Sequence, residues 1–372
     1  MMETLGHTAR GLRPLDKPGS ALIVEHVPPF VTLQDVAERA GVHRTTVSLA
    51  LRDYPRLPLA TRQRVQAIAK KLGYRANPLV TALMRSRRAG KMVKHAVLAY
   101  VTNHPTRFGW RPPETVQPDF FPGAVARAWE LGYKLEHFWM AEPGMTPARF
   151  SNILSARGIH GVLIGRLPVN LHQLDLAWER FSCVALGLTL ESPRLHHVAE
   201  NHFFTTRHAV QQCLDRGYRR IGFAFTTPND YPRVGDRWLG GFLCQQLRLN
   251  PAKRIPPYQD GPDDRRKFLA WFKRWRPDAL LLSRAEPARD WLREVGVRIP
   301  RDVGLVELRN ENPALGHAGV YFDPVKIGAL GVEMLVGLAH RGEVGVSADP
   351  HEVLLTGEWR EGDTLPPRAV TD

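Results

Sequence analysis

Residues 32–51, which read TLQDVAERAGVHRTTVSLAL, decide the fold of the N-terminal part of the chain. Apolar residues recur at helical spacing on both sides of Gly41, and Thr32 is suited to cap the first of two helices. Gly41 supplies the turn between them, because a residue without a Cβ adopts a left-handed conformation at little cost. The side chains predicted to point inward are Leu33, Val36, Ala37, Ala40, Val47, Ala50 and Leu51. A helix, a glycine turn and a second helix form the geometry that places the second helix in the DNA major groove.

Two more helices are predicted after this pair. Residues 59–72 form an amphipathic pattern, and residues 77–84 form a short one in which Asn77 can cap. Pro78 then takes the first helical position, where its missing N–H costs nothing. A helix of this length is not stable alone in water. Residues 85–95 add five basic side chains directly after it, so this helix is suited to becoming ordered on DNA.

Positive charge is concentrated in the same region. The 372-residue chain has a net charge of +14. Residues 31–95 hold 14 Lys and Arg against 3 Asp and Glu, an excess of 11, whereas residues 96–372 hold 34 against 31. Clustered basic residues favour polyanion binding, because binding releases counterions. A solvated basic helix face is the alternative interpretation.

Beyond residue 95 the pattern changes to alternating strands and helices. This alternation predicts parallel sheets covered on both faces. It begins a second time at residues 220–225, which predicts two α/β lobes with a ligand cleft between them. We also predict a helix over residues 174–181. The remaining segments are predicted to be a flexible extension (1–30), a basic linker (85–95) and a loose tail (362–372).

Composition excludes several classes of protein. No stretch reaches the roughly 18–20 consecutive apolar residues of a membrane span, and the N-terminus shows no signal peptide. Three cysteines, without a CxxC pair, favour a reducing cytoplasm. No nucleophile elbow, Walker loop or dinucleotide fingerprint occurs in its required context, so we predict neither an enzyme nor a cofactor. Four histidines match no common metal-ligand spacing. They are His196, His197, His202 and His208.

These motifs together resemble the LacI/GalR family of bacterial transcription regulators. The DNA-binding likeness is carried by TLQDVAERAGVHRTTVSLAL, TRQRVQAIAKKLGYRANPL and VTAL. The sensor likeness is carried by RGIHGVLIGRLP, LDRGYRRIGFAF, Arg237-x-x-Gly240 and IPRDVGLV. The resemblance implies an all-α helix-turn-helix module with a hinge helix (31–84). It also implies a bilobed, periplasmic-binding-protein-like α/β sensor (96–361) of two parallel-sheet lobes, each crossed more than once by the chain.

The resemblance also implies a function. The expected protein is a cytoplasmic homodimer, with a tetramer as the other possibility, that binds a pseudo-palindromic operator in double-stranded DNA. Its affinity for the operator would be controlled by a small molecule, a sugar or an anionic metabolite, bound between the lobes. Repression is the expected outcome. A small-molecule-binding protein of the same fold, without DNA function, is the alternative.

By this resemblance, Arg44 and Thr45 occupy the main base-reading positions and Leu49 the third. An arginine there can bind guanine through two hydrogen bonds, although it can also simply hold a phosphate. Leu83 matches the hinge-helix leucine that wedges into the minor groove; packing on the sensor is its alternative role. The predicted DNA-contacting set is Thr32, Arg44, Thr45, Thr46, Ser48, Leu49, Asn77 and Leu83. For the hydroxyl residues, helix capping is the alternative.

Four residues are predicted to line the ligand site. Arg237 matches a family arginine that contacts ligand polar groups, and Phe120 lies where an aromatic residue lines the cleft; an inter-lobe ion pair is the alternative for Arg237. At Ser283 and Arg309 the chain departs from the family pattern, because acidic residues that hold sugar hydroxyls are missing around both positions. These departures weaken the case for a typical sugar and leave an anionic ligand, or no ligand, open.

Overall fold

The computed structural model describes residues 31–51, 54, 56–72, 74, 96–111, 119–168, 170–225, 236–259 and 264–368. The chain forms two compact units, Met1–Arg75 and Ala76–Asp372.

The described part of the first unit consists of three short helices around a small apolar core. The helices are α1 (Leu33–Ala40), α2 (Arg44–Ala50) and α3 (Leu59–Leu72). Gly41 ends α1 at φ 62° and ψ 36°, in the left-handed region that the sequence predicted. The core is formed by Val36, Ala37, Ala40, Val47, Ala50, Val65 and Ala69. The helix-turn-helix prediction is therefore confirmed.

The second unit contains two sheets, one in each lobe. The lobe 1 sheet has six parallel strands in the order β10-β5-β4-β3-β1-β2. Its strands are β1 (Ala96–Thr102), β2 (Tyr133–Trp139), β3 (Gly161–Ile164), β4 (Ser182–Leu186), β5 (His196–Glu200) and β10 (Glu352–Leu355). Its helices are α4 (Phe121–Glu130), α5 (Pro147–Ala156) and α10 (Pro324–Arg341). Side chains of β1 point alternately into apolar clusters on the two faces of the sheet, which explains why this strand reads as a continuous apolar run.

The lobe 2 sheet has five strands in the order β11-β9-β8-β7-β6, and only β11 is antiparallel. The strands are β6 (Ile221–Ala224), β7 (Ala279–Leu282), β8 (Gly304–Glu307), β9 (Ala318–Tyr321) and β11 (Glu358–Arg360). The helices are α6 (His202–Asp215), α7 (Arg237–Gln246), α8 (Arg265–Trp275) and α9 (Ala288–Glu294). The prediction of two parallel-sheet lobes is confirmed.

The chain passes between the lobes three times. It leaves lobe 1 after β5, returns after β9 to form α10 and β10, and leaves again to add β11. The multiple crossings implied by the family resemblance are therefore present. Because three segments join the lobes, residues near all three crossings lie beside the cleft.

Helices α4 and α10 pack closely in lobe 1 because glycine is present at their contact. A Cβ added to Gly123 would lie 2.0 Å from the carbonyl oxygen of Val325, and one added to Gly328 would lie 2.0 Å from that of Phe120. Both distances are far below van der Waals contact, so only glycine fits without movement of the backbone.

Some local predictions are wrong. Residues 174–181 form no α-helix, only a 3₁₀ turn at Trp178–Arg180. Strands β5, β9 and β11 were not predicted because their sequences, HHVAE, AGVY and EWR, lack a run of large apolar residues. The tail is not loose over residues 362–368, since Leu365 is buried in the lobe 2 core and the Leu305 N–H donates to the Thr364 carbonyl.

Candidate DNA-contacting helix and interlobe cleft

Helix α2 presents the predicted base-reading side chains on the surface of the first unit. Arg44 and Thr45 are exposed, whereas Thr46, Ser48 and Leu49 are half-buried. The other face of α2 buries Val47 and Ala50 in the core. The start of this helix is therefore the part that can reach a ligand outside the unit, as base reading by a recognition helix requires.

Both helices of the pair begin with side-chain caps. The Thr32 hydroxyl accepts from the Asp35 N–H at 3.2 Å, and Asp35 Oδ2 accepts from the Thr32 N–H at 2.6 Å. Hydrogen bonds from Thr32 lower the pKa of Asp35. Thr32 therefore caps α1, which is the role given above as the alternative to DNA contact. At α2, His43 Nδ1 accepts from the Thr45 N–H at 3.4 Å and lies 2.9 Å from the Thr45 hydroxyl, a contact that sequence reasoning missed.

Two predicted DNA-contacting residues, Asn77 and Leu83, lie outside the described residues. Their roles stay predictions by resemblance.

A buried ion pair lies on the side of lobe 1 that faces the cleft. Arg166 follows β3, at the point where the strand order reverses, which is where ligands bind in open α/β sheets. Its guanidinium donates to Glu200 Oε1 at 3.0 Å, and the two side chains are only 14% and 5% exposed. The guanidinium also lies 4.6 Å from the ring centre of the buried Phe120. Phe120, the aromatic residue predicted to line the cleft, therefore packs its ring against the Arg166 guanidinium.

Lobe 2 contributes a second pair to the same cluster. Arg309 contacts Glu311 Oε1 at 2.5 Å, with side chains 10% and 27% exposed. The charges of Arg309 and Glu311 act on the guanidinium of Arg166, across the two lobes. Arg166 and Arg309 also both act on His202, whose Nε2 lies 3.8 Å from Glu200 Oε2. The cleft thus holds charges of alternating sign from both lobes.

Burial and these charges shift the pKa values in the cluster. Burial lowers the pKa of His202 to about 4, so this imidazole is neutral at pH 7. Burial also lowers the pKa of Arg166. For Glu200, burial acts to raise the pKa, but the charge of Arg166 and its neighbours brings it below the usual value. Glu200 is therefore a carboxylate under ordinary conditions.

Two buried nitrogen atoms beside the cluster have no hydrogen-bond partner. They are Nδ1 of His202 and Nε1 of Trp238, in rings whose centres are 5.0 Å apart. A buried polar group without a partner costs about 1–3 kcal/mol. A bound polar molecule is one way to offset that cost.

A cavity of about 290 Å³ adjoins the cluster. Gly187 connects the two, because it lines the cavity and a Cβ added there would lie 3.4 Å from Arg166 Nε. Leucine side chains form apolar parts of the wall, and the predicted ligand residue Arg237 lines it from lobe 2. Arg237 Nη2 lies 3.8 Å from Glu352 Oε1 of lobe 1. Arg237 thus forms a long, half-exposed ion pair between the lobes. This pair was the alternative to a role in ligand binding.

The loops that carry Ser283 and Arg309 are held by a buried carboxylate. Glu307 accepts from the Ala285 N–H at 3.1 Å and lies 3.2 Å from His317 Nδ1. These contacts connect the end of β7 to the end of β8. Ser283 is buried directly after β7, whereas Arg309 belongs to the charged cluster. The backbone beneath both residues is therefore fixed before any ligand binds.

Sequence reasoning missed Arg166, Glu200, His202 and Glu311. Arg166 and Glu200 each follow or end a buried strand, so position at the carboxyl end of a strand was the available signal. Among the described residues, no group of His, Cys, Asp and Glu side chains could hold a metal ion. No helix in the described segments is long and apolar enough to cross a membrane.

Two family models match the chain. Residues 32–77 match the bacterial regulatory proteins of the lacI family, and residues 210–365 match the periplasmic binding protein-like domain. Over residues 32–77 the chain is similar to the LacI family of regulatory proteins. The first segment overlaps the helix-turn-helix unit, and the second covers most of lobe 2 together with α10 and β10 of lobe 1. The LacI family consists of transcription regulators, in agreement with the prediction that the chain is not an enzyme.

Two curated regulators match over part of their length. An HTH-type transcriptional regulator of Mycolicibacterium smegmatis is 25% identical over 234 residues, covering 63% of this chain and 60% of that protein. The NTD biosynthesis operon regulator NtdR of Bacillus subtilis is 22% identical over 204 residues, covering 53% of this chain and 56% of that protein. The chain thus spans less than two thirds of each of these relatives.

A solved LacI-family structure has the same fold. The lac repressor dimer, solved with operator and the anti-inducer ONPF, matches with a TM-score of 0.53 at 20% identity, covering 90% of this chain and 99% of that one. At this identity the likeness establishes the fold, and it confirms N-terminal helices followed by two α/β lobes.

Proposed function

We propose that this chain is a cytoplasmic, sequence-specific DNA-binding transcription regulator, with repression as the expected outcome. The observation that carries the proposal is the exposure of Arg44 and Thr45 at the start of α2, in a unit that matches the lacI model. An arginine at the start of a recognition helix can read guanine through O6 and N7. The exposed basic side chains of the same unit, such as Arg64 and Lys71, would strengthen binding to the phosphates.

The proposed assembly is a homodimer, with a tetramer as the other possibility. Two copies of α2 would enter successive major grooves of a pseudo-palindromic operator, because a two-fold protein matches a two-fold site. Leu83 from each copy would wedge into the minor groove between the half-sites. The roles of Thr32, Thr46, Ser48, Leu49 and Asn77 in this complex are likewise part of the proposal.

The second part of the proposal is that a small-molecule effector, for which the sequence left a sugar or an anionic metabolite open, binds in the interlobe cleft. Its support is the convergence of Phe120, Arg166, Arg237 and Arg309 on that cleft from both lobes. Ser283, buried after β7, is the remaining proposed ligand-site residue. An effector that binds one lobe orientation better than another would shift the population of that orientation. Operator and effector must then change each other's affinity by the same factor.

A selection from randomised DNA duplexes at low ionic strength tests the first part. We expect enrichment of a near-palindromic site, and fluorescence anisotropy should show that Arg44→Ala removes the preference for that site. Lys71→Ala, which removes the same charge at the exposed end of α3, should weaken binding to all duplexes and keep the preference. Negligible, salt-insensitive DNA binding would instead favour the alternative, a small-molecule-binding protein without DNA function.

A further inference from the structure

The charged cluster in the cleft and the cavity beside it are both balanced in charge. In the cluster, Arg166 and Arg309 are matched by Glu200 and Glu311, while His202 is neutral at pH 7. The cavity is lined by two arginines and two glutamates, namely Arg194, Arg237, Glu191 and Glu352. His197 also lines the cavity. Among the described Arg, Lys, Asp and Glu side chains named here, therefore, neither sign of charge is in excess.

We propose that the effector is a small zwitterion of the amino-acid type, with one carboxylate and one ammonium group. This inference rests on the proposed function only in taking the cleft as the effector site. A ligand with a net charge would add an uncompensated charge to a cluster that is largely buried, which is costly. A zwitterion joins the cluster and leaves its net charge at zero.

A neutral sugar also leaves the net charge unchanged, but it interacts more weakly with these groups. Its hydroxyls would have to compete with carboxylates for Arg166 and Arg309, and hydrogen bonds between charged partners are about twice as strong as neutral ones. A ligand carboxylate can accept from Arg309 alongside Glu311, because a guanidinium carries five N–H donors. Glu311, the most exposed member of the two pairs, can make room for it without leaving the cluster. The ligand ammonium can then face Glu200, which remains paired with Arg166.

The surroundings supply the rest of such a site. The adjoining cavity, about 290 Å³ in volume and partly walled by Leu188, Leu190 and Leu195, provides room for a ligand side chain. The Trp238 Nε1–H, buried without an acceptor, lies in the ring that neighbours His202. A carboxylate has four lone-pair positions and can accept from more than one donor, so a second acceptor site for this N–H is available on the ligand.

Calorimetric titration of the full chain without DNA tests the proposal. The probes are the proteinogenic amino acids, β-alanine and 4-aminobutyrate, then the deaminated acid and the decarboxylated amine of the tightest binder, and a set of hexoses. We expect one or more zwitterions to bind, with both singly charged counterparts and every hexose at least tenfold weaker. A hexose or a singly charged probe that binds as tightly, or the absence of any zwitterion binding, overturns the proposal.

Two variants test the assignment of charges. Glu200→Gln should shift the preference towards the deaminated acid, and Arg309→Gln should shift it towards the decarboxylated amine, each by at least tenfold relative to the parent zwitterion. Glu358→Gln, which removes an exposed carboxylate paired with Lys326, should leave the preference unchanged. If both cleft variants fold and keep the original preference, the assignment of charges is wrong. Thermal unfolding identifies a variant that has not folded, and the assignment is then tested on the other variant.

The proposed function fails independently of this inference. If selected duplexes bind and no zwitterion does, the regulator proposal stands and the zwitterion is excluded. If zwitterions bind and no DNA sequence is preferred, the zwitterion stands and the regulator proposal is excluded.

Discussion

The two units of this chain place their charges in opposite ways. The helix-turn-helix unit has a small apolar core and presents Arg44 and its other basic residues to solvent. Residues 96–372 hold 34 Lys and Arg against 31 Asp and Glu, and in the cleft they bury arginines and glutamates against one another. Exposed clustered charge favours a large polyanion that brings its own counterions, whereas buried balanced charge favours a small ligand whose own charges balance. The difference suggests two kinds of ligand for one chain.

The largest expected effect comes from breaking the buried pair. Arg166→Met should destabilise the α/β unit by about 3–5 kcal/mol, because it leaves the Glu200 carboxylate buried without its main partner. All nine tryptophans lie between residues 110 and 359, so tryptophan fluorescence in a urea titration reports on this unit alone. Arg298→Met, at an exposed pair with Asp302, should cause no measurable change. Equal effects of the two variants would contradict the contrast between buried and exposed charge.

The neutral state of His202 makes the same unit sensitive to acid. Burial lowers its pKa to about 4 in the folded chain, whereas an unfolded histidine titrates near pH 6.5. Below pH 6.5 the unfolded chain therefore binds more protons, and stability falls as the pH is lowered, by up to about 1.4 kcal/mol per pH unit for this group. Urea titrations between pH 7 and pH 4 should show a smaller slope for His202→Gln. Some slope should remain, because burial lowers the pKa of His137 to about 4 as well.

Close packing in lobe 1 predicts an effect of intermediate size. Gly328→Ala places a Cβ 2.0 Å from the Phe120 carbonyl oxygen, which should destabilise lobe 1 by about 1–3 kcal/mol. Gly337→Ala on the same helix meets only the end of the Arg341 side chain, at 3.2 Å, and should be neutral or slightly stabilising. Tryptophan fluorescence again measures both. An unchanged midpoint for Gly328→Ala would show that α4 and α10 can move apart freely.

The smallest effect is expected at the cap of α1. Thr32→Ala should destabilise the first unit by about 1 kcal/mol through loss of the hydrogen bonds with Asp35, whereas Thr32→Ser should retain them. Hydrogen exchange measured by mass spectrometry should be faster over residues 33–40 in the alanine variant only. Tryptophan fluorescence of the α/β unit should be unchanged. Faster exchange in the serine variant as well would assign the effect to the lost methyl group and not to the cap.

The sequence predicted the described part of the first unit almost completely, because its signals are local. The Thr32 cap, the turn at Gly41 and the inward apolar stripe are all readable within twenty residues. In the α/β unit, strands that are buried on both faces, such as β1 and β7, were readable as apolar runs. Strand β5 was missed because it begins with His196 and His197, and its place in the sheet depends on pairing with β4 and β10.

The cleft was predicted less well for a physical reason. Arg237 and Arg309 were identified by resemblance, but their partners depend on which strand ends meet across the lobes. Glu200 lies 34 positions from Arg166 in the chain, and no local pattern relates the two. Likewise, Leu365 was assigned to a loose tail because the late return of the chain to lobe 2 leaves no periodic signal. Long-range pairing of this kind becomes visible only in the folded chain.

The most direct test of the account compares a selected duplex with a scrambled duplex of equal length across a series of salt concentrations. We predict that the affinity for both falls steeply as salt increases, with a slope near −0.9 for each phosphate contact on the logarithmic scale. We also predict that the selected duplex binds about 1,000-fold or more tightly than the scrambled one at every salt concentration. Equal affinities for the two duplexes, or a flat dependence on salt, would contradict the claim that the basic helix-turn-helix unit reads DNA sequence.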